Sequence, residues 1–307
     1  MTLEDNGKSQ GFPAVQFWTS SPLTVSICRR NTVTRQLEEI VFSGSATYIF
    51  PILMRVFLFV PCYIDQLFPN VATSTLKVLK HLGCEVIFPE NQTCCGQPAY
   101  NSGFFDEARL MAMHEMNAFL KFQATDNNFE FDFKNDYIVG PSGSCVAMIR
   151  NFYSSLLSDE SRFADRVNKF AARTFELTEF VNDIIKVENF KGALNAVVSY
   201  HDSCHSMREL RIKDGPRKIL ERIDGVKLVE LPYSEVCCGF GGTFSVKFPE
   251  ISCAMADEKL KSFRMTQADI LVSGDSSCLM HLQGRARHTG MNLRFAHIAE
   301  IMAESVG

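Results

Sequence analysis

The 307-residue chain is 46% hydrophobic and 21% charged, which is enough apolar mass for a full core in one or two domains and excludes a disordered or collagen-like chain. Its 31 basic and 35 acidic side chains leave a net charge of -4. There is no electropositive excess to neutralise a phosphate backbone, so nucleic acid is excluded as the main partner.

Residues 1–53 read as polar and irregular and carry a single thiol, Cys28. They are expected to form a poorly ordered N-terminal extension, of the kind an upstream start choice adds before Met54. Glu4, Asp5, Glu38 and Glu39 interrupt the basic residues and argue against a transit peptide. The longest apolar run, Tyr48 to Val60, is broken by Pro51 and Arg55 and is too short to be a membrane span. No secretory leader pattern precedes the cysteines, so the expected location is cytoplasmic.

From Met54 the pattern becomes regular. MRVFLFVPC is a strand-like run ending at Cys62, and LGCEVIFPENQTCC is a second that leads to the pair Cys94 and Cys95. Phe105 to Phe122 places Ala108, Met111, Ala112, Met116 and Phe119 at three- and four-residue spacing, which predicts a helix packed on a sheet. DYIVGPSGSC runs to Cys145, and RTFELTEFVNDII closes the segment.

The second half repeats this order. AVVSYHDSC ends at Cys204, GVKLVELPYSEVCC at Cys237 and Cys238, Ile251 to Phe263 matches the earlier helix, DILVSGDSSC ends at Cys278, and LRFAHIAEIMAE closes the chain. Between Cys62 and the first pair lie 31 residues, and between Cys204 and the second pair 32. This is a tandem duplication. The predicted class is α/β, in two pseudo-symmetric units at 54–189 and 190–307, each a parallel sheet flanked by helices.

Each of these cysteines follows a strand, so a parallel sheet gathers them at its carboxyl edge, where open α/β sheets build their sites. Four soft thiolates per unit suit a tetrahedral zinc or an iron-sulfur cluster. Vicinal cysteines on a regular strand point to opposite faces, so sharing one metal requires a sharp backbone turn, and Gly96 and Gly239 permit it. Cys84 and Cys253 have no counterpart in the other half and are expected to be packing residues. The glycines of CCGFGGTFS match no phosphate-loop pattern. No HExxH or GxSxG motif supports hydrolysis.

The set VPC, LGCEVIFPENQTCCGQPAYNSG, PSGSC, HDSCH, CCGFGGTFSVK, GDSSCLMHLQGR and HIAEI resembles the cysteine-rich CCG-domain iron-sulfur proteins over about residues 54 to 307. It is most similar to their lactate-utilization branch, and more distantly to the iron-sulfur subunit of glycolate oxidase and to the family's representative in heterodisulfide reductase. The resemblance implies that Cys62, Cys94, Cys95 and Cys145 ligate one centre, and Cys204, Cys237, Cys238 and Cys278 the other. The family pattern ends in CxxC, whereas Ser142 and Asp275 hold the first position of those pairs here. That departure favours a four-cysteine 4Fe-4S cluster, one or two per chain, or zinc in one unit, over a five-cysteine cluster.

His201 and His205 flank Cys204, His281 follows Cys278 by three, and Asp275 precedes it by three. All four are expected near the second site, where the imidazoles either tune a centre through hydrogen bonds or make ordinary structural bonds rather than ligate it directly, and Asp275 is expected to cap its loop rather than to offer an oxygen ligand. The mixed-charge stretch 208–218, RELRIKDGPRK, reads as a solvated helix face.

The resemblance implies an electron-transfer subunit of a complex that oxidises L-lactate to pyruvate. The chain shows no nicotinamide or flavin fingerprint, so hydride removal is expected of partner subunits, including a further iron-sulfur protein. Two other classes stay open: a thiol-disulfide reductase acting at the vicinal cysteines, and a zinc-stabilised scaffold with no redox role.

Overall fold

Strand formation follows the apolar runs. The computed structural model describes residues 54–120, 130–158, 164–188, 190 and 192–307; the expected extension at 1–53, with Cys28, lies outside them. Within the described residues there are two four-stranded sheets, with all neighbouring strands parallel. The first has the order β2-β1-β3-β4, with β1 Arg55–Leu58, β2 Glu85–Ile87, β3 Tyr137–Gly140 and β4 Thr174–Glu176. The second has the order β6-β5-β7-β8, with β5 Ala193–His201, β6 Asp224–Leu228, β7 Ile270–Ser273 and β8 Arg294–His297.

Because side chains alternate along a strand, β1 sends Val56 and Leu58 to one core and Phe57, with Phe59 just beyond it, to another. Both faces are covered, which is why the run reads as continuously apolar. The second face of the first sheet is closed by the helix Phe105–Leu120, which buries Ala108, Ala112, Met116 and Phe119 as the spacing predicts. Met111 differs from expectation and is 38% exposed. It lies at the edge of the apolar stripe, and Glu115 takes the inward position instead. The matching helix Pro249–Thr266 buries Ala256, Leu260 and Phe263, with Lys259 at the inward polar position, while Ile251 is exposed.

The other faces of both sheets look into one common core, which joins Leu58, Leu76 and Phe180 of the first half to Val198, Tyr200 and Met302 of the second. Full burial of such side chains contributes about 1.5–3 kcal/mol each. The helices around this core are exchanged reciprocally. The terminal helical segment of the first half, Leu177–Ile185, packs on the helix Asp214–Glu221 of the second. The terminal helix of the second half, Ile298–Ser305, packs on Pro69–His81 of the first.

Both terminal segments begin with a capping box. Glu176 caps the first, with Glu179 returning the bond, and His297 with Glu300 does the same in the second. Glu176 is 1% exposed, and its Oε2 accepts from Thr178 N at 2.7 Å while its Oε1 is buried without a partner. Burial raises this carboxyl from 4.5 to about 7. A folded pKa above the unfolded value means that the contribution of this one group to stability is greatest below about pH 4 and falls as the pH rises to about 7, by roughly 3 kcal/mol. Glu176→Gln keeps an acceptor for the cap and removes the titration. Urea unfolding of this variant should change less between pH 5 and pH 8 than that of the wild type.

Candidate metal centres

In both sheets the chain leaves the first strand in one direction and returns for the third on the other side, so the topological switch lies between β1 and β3, and between β5 and β7. The cysteines sit at those points. Cys62 opens the short helix Cys62–Leu67 after β1, and Cys145 lies in Gly143–Ala147 after β3. Cys204 follows β5 directly, and Cys278 lies in the helix Ser276–His288 after β7. The two vicinal pairs enter from the loops beyond β2 and β6. All eight cysteines line one cleft of about 770 Å3, counting its open mouth.

Reciprocal contacts make the cleft common to both halves. Gly143–Ala147 rests against the turn His205–Glu209, and Ser276–His288 against Cys62–Leu67. The ring of Tyr63 meets that of Phe240 edge to face at 5.9 Å, bridging the two sets.

The vicinal pairs turn as the glycines after them allow. Gly96 has φ of 85° and Gly239 of 93°, both left-handed. A Cβ on Gly239 would lie 2.6 Å from the Ser252 carbonyl oxygen, so only glycine fits. The turn aims each glycine N–H back at sulfur: Gly96 N donates to Cys94 Sγ and Gly239 N to Cys237 Sγ, both at 3.4 Å.

The thiols within each set influence one another strongly. Cys94 is held well below the usual thiol range by hydrogen bonds from Cys62, Cys95 and the Gly96 N–H, while Cys62 is pushed up by the same bond to Cys94 and by burial. Cys237 and Cys204 repeat the relation. In each set the first cysteine of the pair is therefore the ready thiolate, the form that binds metal. Cys62 Sγ and Cys94 Sγ are 3.7 Å apart. That matches the edge of a thiolate tetrahedron, about 3.8 Å for metal–sulfur bonds of about 2.3 Å.

Several supporting residues were not singled out from the sequence. Glu115 accepts from Thr93 N at 2.6 Å and holds the approach to Cys94. Lys259, its counterpart in the other long helix, donates to the carbonyl oxygens of Tyr233 and Ser234 before Cys237. Tyr153 donates its hydroxyl to Cys95 O at 3.0 Å. The signal for Glu115 and Lys259 is a charged residue inside an apolar stripe at matched positions of the repeat.

Matching to a known domain family adds to this geometry. The cysteine-rich domain called CCG matches twice, at residues 56–150 and 198–283, once on each sheet. The chain belongs to the CCG cysteine-rich domain family. It is 45% identical over 252 residues to lactate utilization protein A of an Exiguobacterium species, covering 82% of this chain and 98% of that protein. It is 42% identical over 249 residues to lactate utilization protein A of Halalkalibacterium halodurans, covering 81% of this chain and 96% of that protein. Lactate utilization protein A 2 of Bacillus cereus is 40% identical over 253 residues, covering 82% of this chain and 99% of its own. No helix among the described residues is long and apolar enough to cross a membrane.

The two CCG domains differ in what surrounds their cysteines. In the first, Ser142 caps the helix of Cys145, accepting from Cys145 N. In the second, Asp275 does so with one oxygen, which accepts from Ser277 N and Oγ, and its other oxygen accepts from Ser144 N of the first domain at 3.0 Å. His205 Nδ1 is 3.5 Å from Cys204 Sγ, with its Nε2 3.7 Å from Glu209. His281 lies 3.2 Å from Ser252 Oγ, and that hydroxyl donates to Gly239 O, so it braces the CCG turn.

The stretch 208–218 departs from expectation. Arg217 turns inward and forms a bidentate pair with Asp202, both bonds 2.9 Å, with side chains only 12% and 1% exposed. Cys84 is buried before β2 with its thiol pushed up to about 12 by burial, and Cys253 is half-buried on Pro249–Thr266.

Proposed function

We propose that this chain is an iron-sulfur electron-transfer subunit of a system that oxidises L-lactate to pyruvate, working in the cytoplasm with other subunits that include a further iron-sulfur protein. The observation that carries this reading is the convergence of eight cysteines, in two matched sets, on one cleft. Cys62, Cys94, Cys95 and Cys145 would hold one centre, and Cys204, Cys237, Cys238 and Cys278 the other. A bound iron-sulfur cluster supplies one-electron transfer. The lactate assignment rests on the names of the relatives.

The protein's own groups suit this task. The glycine N–H groups aimed at Cys94 and Cys237 stabilise thiolate charge. Burial of Cys95, Cys145, Cys238 and Cys278 keeps water from the inner sulfurs. Tyr63 and Phe240 fill the space between the two sets with aromatic rings.

A second reading, zinc in one or both sites, is favoured by the 3.7 Å separation of Cys62 and Cys94, which fits two ligands on a single ion. One measurement separates the two. Iron, acid-labile sulfide and zinc are measured per chain on anaerobically purified protein, with an absorption spectrum before and after dithionite. The iron-sulfur reading expects near-equal iron and sulfide and a visible band that bleaches. Zinc without sulfide in both sites would sink the electron-transfer role.

A further inference from the structure

Counting back three residues from Cys62 and from Cys204 reaches Phe59 and His201. Both are fully buried. Phe59 packs among Cys95, Cys145 and Phe119, where an aromatic ring needs no polar partner. His201 occupies the matching place in the second half, yet neither of its buried ring nitrogens makes a well-formed hydrogen bond, the Ser234 backbone carbonyl alone lying near enough to interact with the ring. A buried polar group left unsatisfied is costly, so a buried imidazole calls for something that takes its nitrogen.

The surroundings indicate what that is. One ring nitrogen of His201 and the sulfurs of Cys238 and Cys278 all lie within 4.8 Å of one another. Three other polar side chains near the second site are engaged: Asp275 with backbone N–H groups, His281 with Ser252, and His205 between Cys204 and Glu209.

We propose that His201 supplies a nitrogen ligand to the metal of the second site, so that two centres built on one cysteine pattern differ in their donors. The first then has thiolates alone, and the second has thiolates and an imidazole. This inference rests on the reading that each cysteine set holds a metal. The imidazole adds a donor without adding negative charge, so the two centres differ in kind although their thiolates match in number.

The test uses the full chain labelled with 15N-histidine, reduced with dithionite and examined by pulsed electron paramagnetic resonance. The wild type should show a strongly coupled histidine nitrogen. His201→Phe, which installs the residue that the first half carries in this place, should lose that coupling. His205→Gln and His281→Asn should keep it, which preserves the assignment if the His201 variant does not fold. Wild type without the coupling, or its persistence in His201→Phe, would overturn the proposal. If the metal is zinc, X-ray absorption at the zinc edge reads the same point: a nitrogen in the ligand shell that is lost in His201→Phe supports it, and a sulfur-only shell overturns it. Wild type devoid of both metals would sink the reading beneath it together with the inference.

Discussion

Serine at position 238 is expected to strip the second centre and leave the first loaded, so that bound metal per chain falls by about half, while serine at position 84 leaves metal content unchanged. Cys238 is 2% exposed, and its sulfur lies within 4.8 Å of that of Cys278. A hydroxyl is a harder donor and ionises far less readily than a thiol, so it does not replace a soft thiolate. Metal binding also contributes to folding, on the order of 10 kcal/mol at a structural zinc site, so the Cys238→Ser chain should melt at lower temperature as well.

Cys84 offers the contrast. It is 7% exposed in the common core, with its thiol held neutral by burial, and behaves as a small apolar side chain. Cys84→Ser buries a hydroxyl there and should cost about 1–3 kcal/mol of stability. Elemental analysis of the two variants alongside wild type checks both statements. Equal metal loss in both would overturn the ligand assignment.

Arg217→Met is expected to cost about 3–5 kcal/mol at pH 7, because it leaves the Asp202 carboxylate charged and buried without its partner. Burial alone would push this carboxyl up, but the guanidinium outweighs it and holds the pKa below the usual range. A depressed folded pKa contributes stability that is present above the unfolded value near 3.9 and lost as the pH falls through the folded one. Wild type and Arg217→Met should therefore differ most near neutrality and converge in acid. Denaturant unfolding at pH 7 and pH 3 measures this directly. A difference under about 1 kcal/mol at pH 7 would place the pair among ordinary surface ion pairs. Asp202 stands two residues before Cys204, so loosening this loop should also weaken metal retention at the second centre.

The strands and long helices were legible because their apolar periods are set by burial, and burial is what the structure shows at Phe57, Ala112 and Leu260. The gathering of the cysteines was legible for a topological reason: each follows a strand, and parallel strands end on one edge. Arg217 was not legible. A run of alternating charges looks solvated, and its partner Asp202 is 15 residues away in sequence. Glu115 and Lys259 were hidden by their helices, since a periodic pattern identifies a buried face without saying which backbone groups await a partner there. The face that covers each terminal helix was equally hidden, because amphipathicity fixes that a side is buried and leaves open which neighbour buries it. The common cleft follows from that exchange, and for this reason the sequence pointed to two sites without placing them face to face.

Each half ends on a helical segment that packs on the helix leading into the other half's second strand, and the swap is mutual. Two separate copies of a single half would meet through the same surfaces, as an isologous dimer does. In such a dimer every substitution strikes both sites at once, and the sites stay identical. Covalent fusion lifts that restriction. Phe59 against His201, Glu115 against Lys259, and Ser142 against Asp275 are differences that only a fused pair can hold. By ceasing to be a symmetric assembly, the molecule acquired two unequal ends.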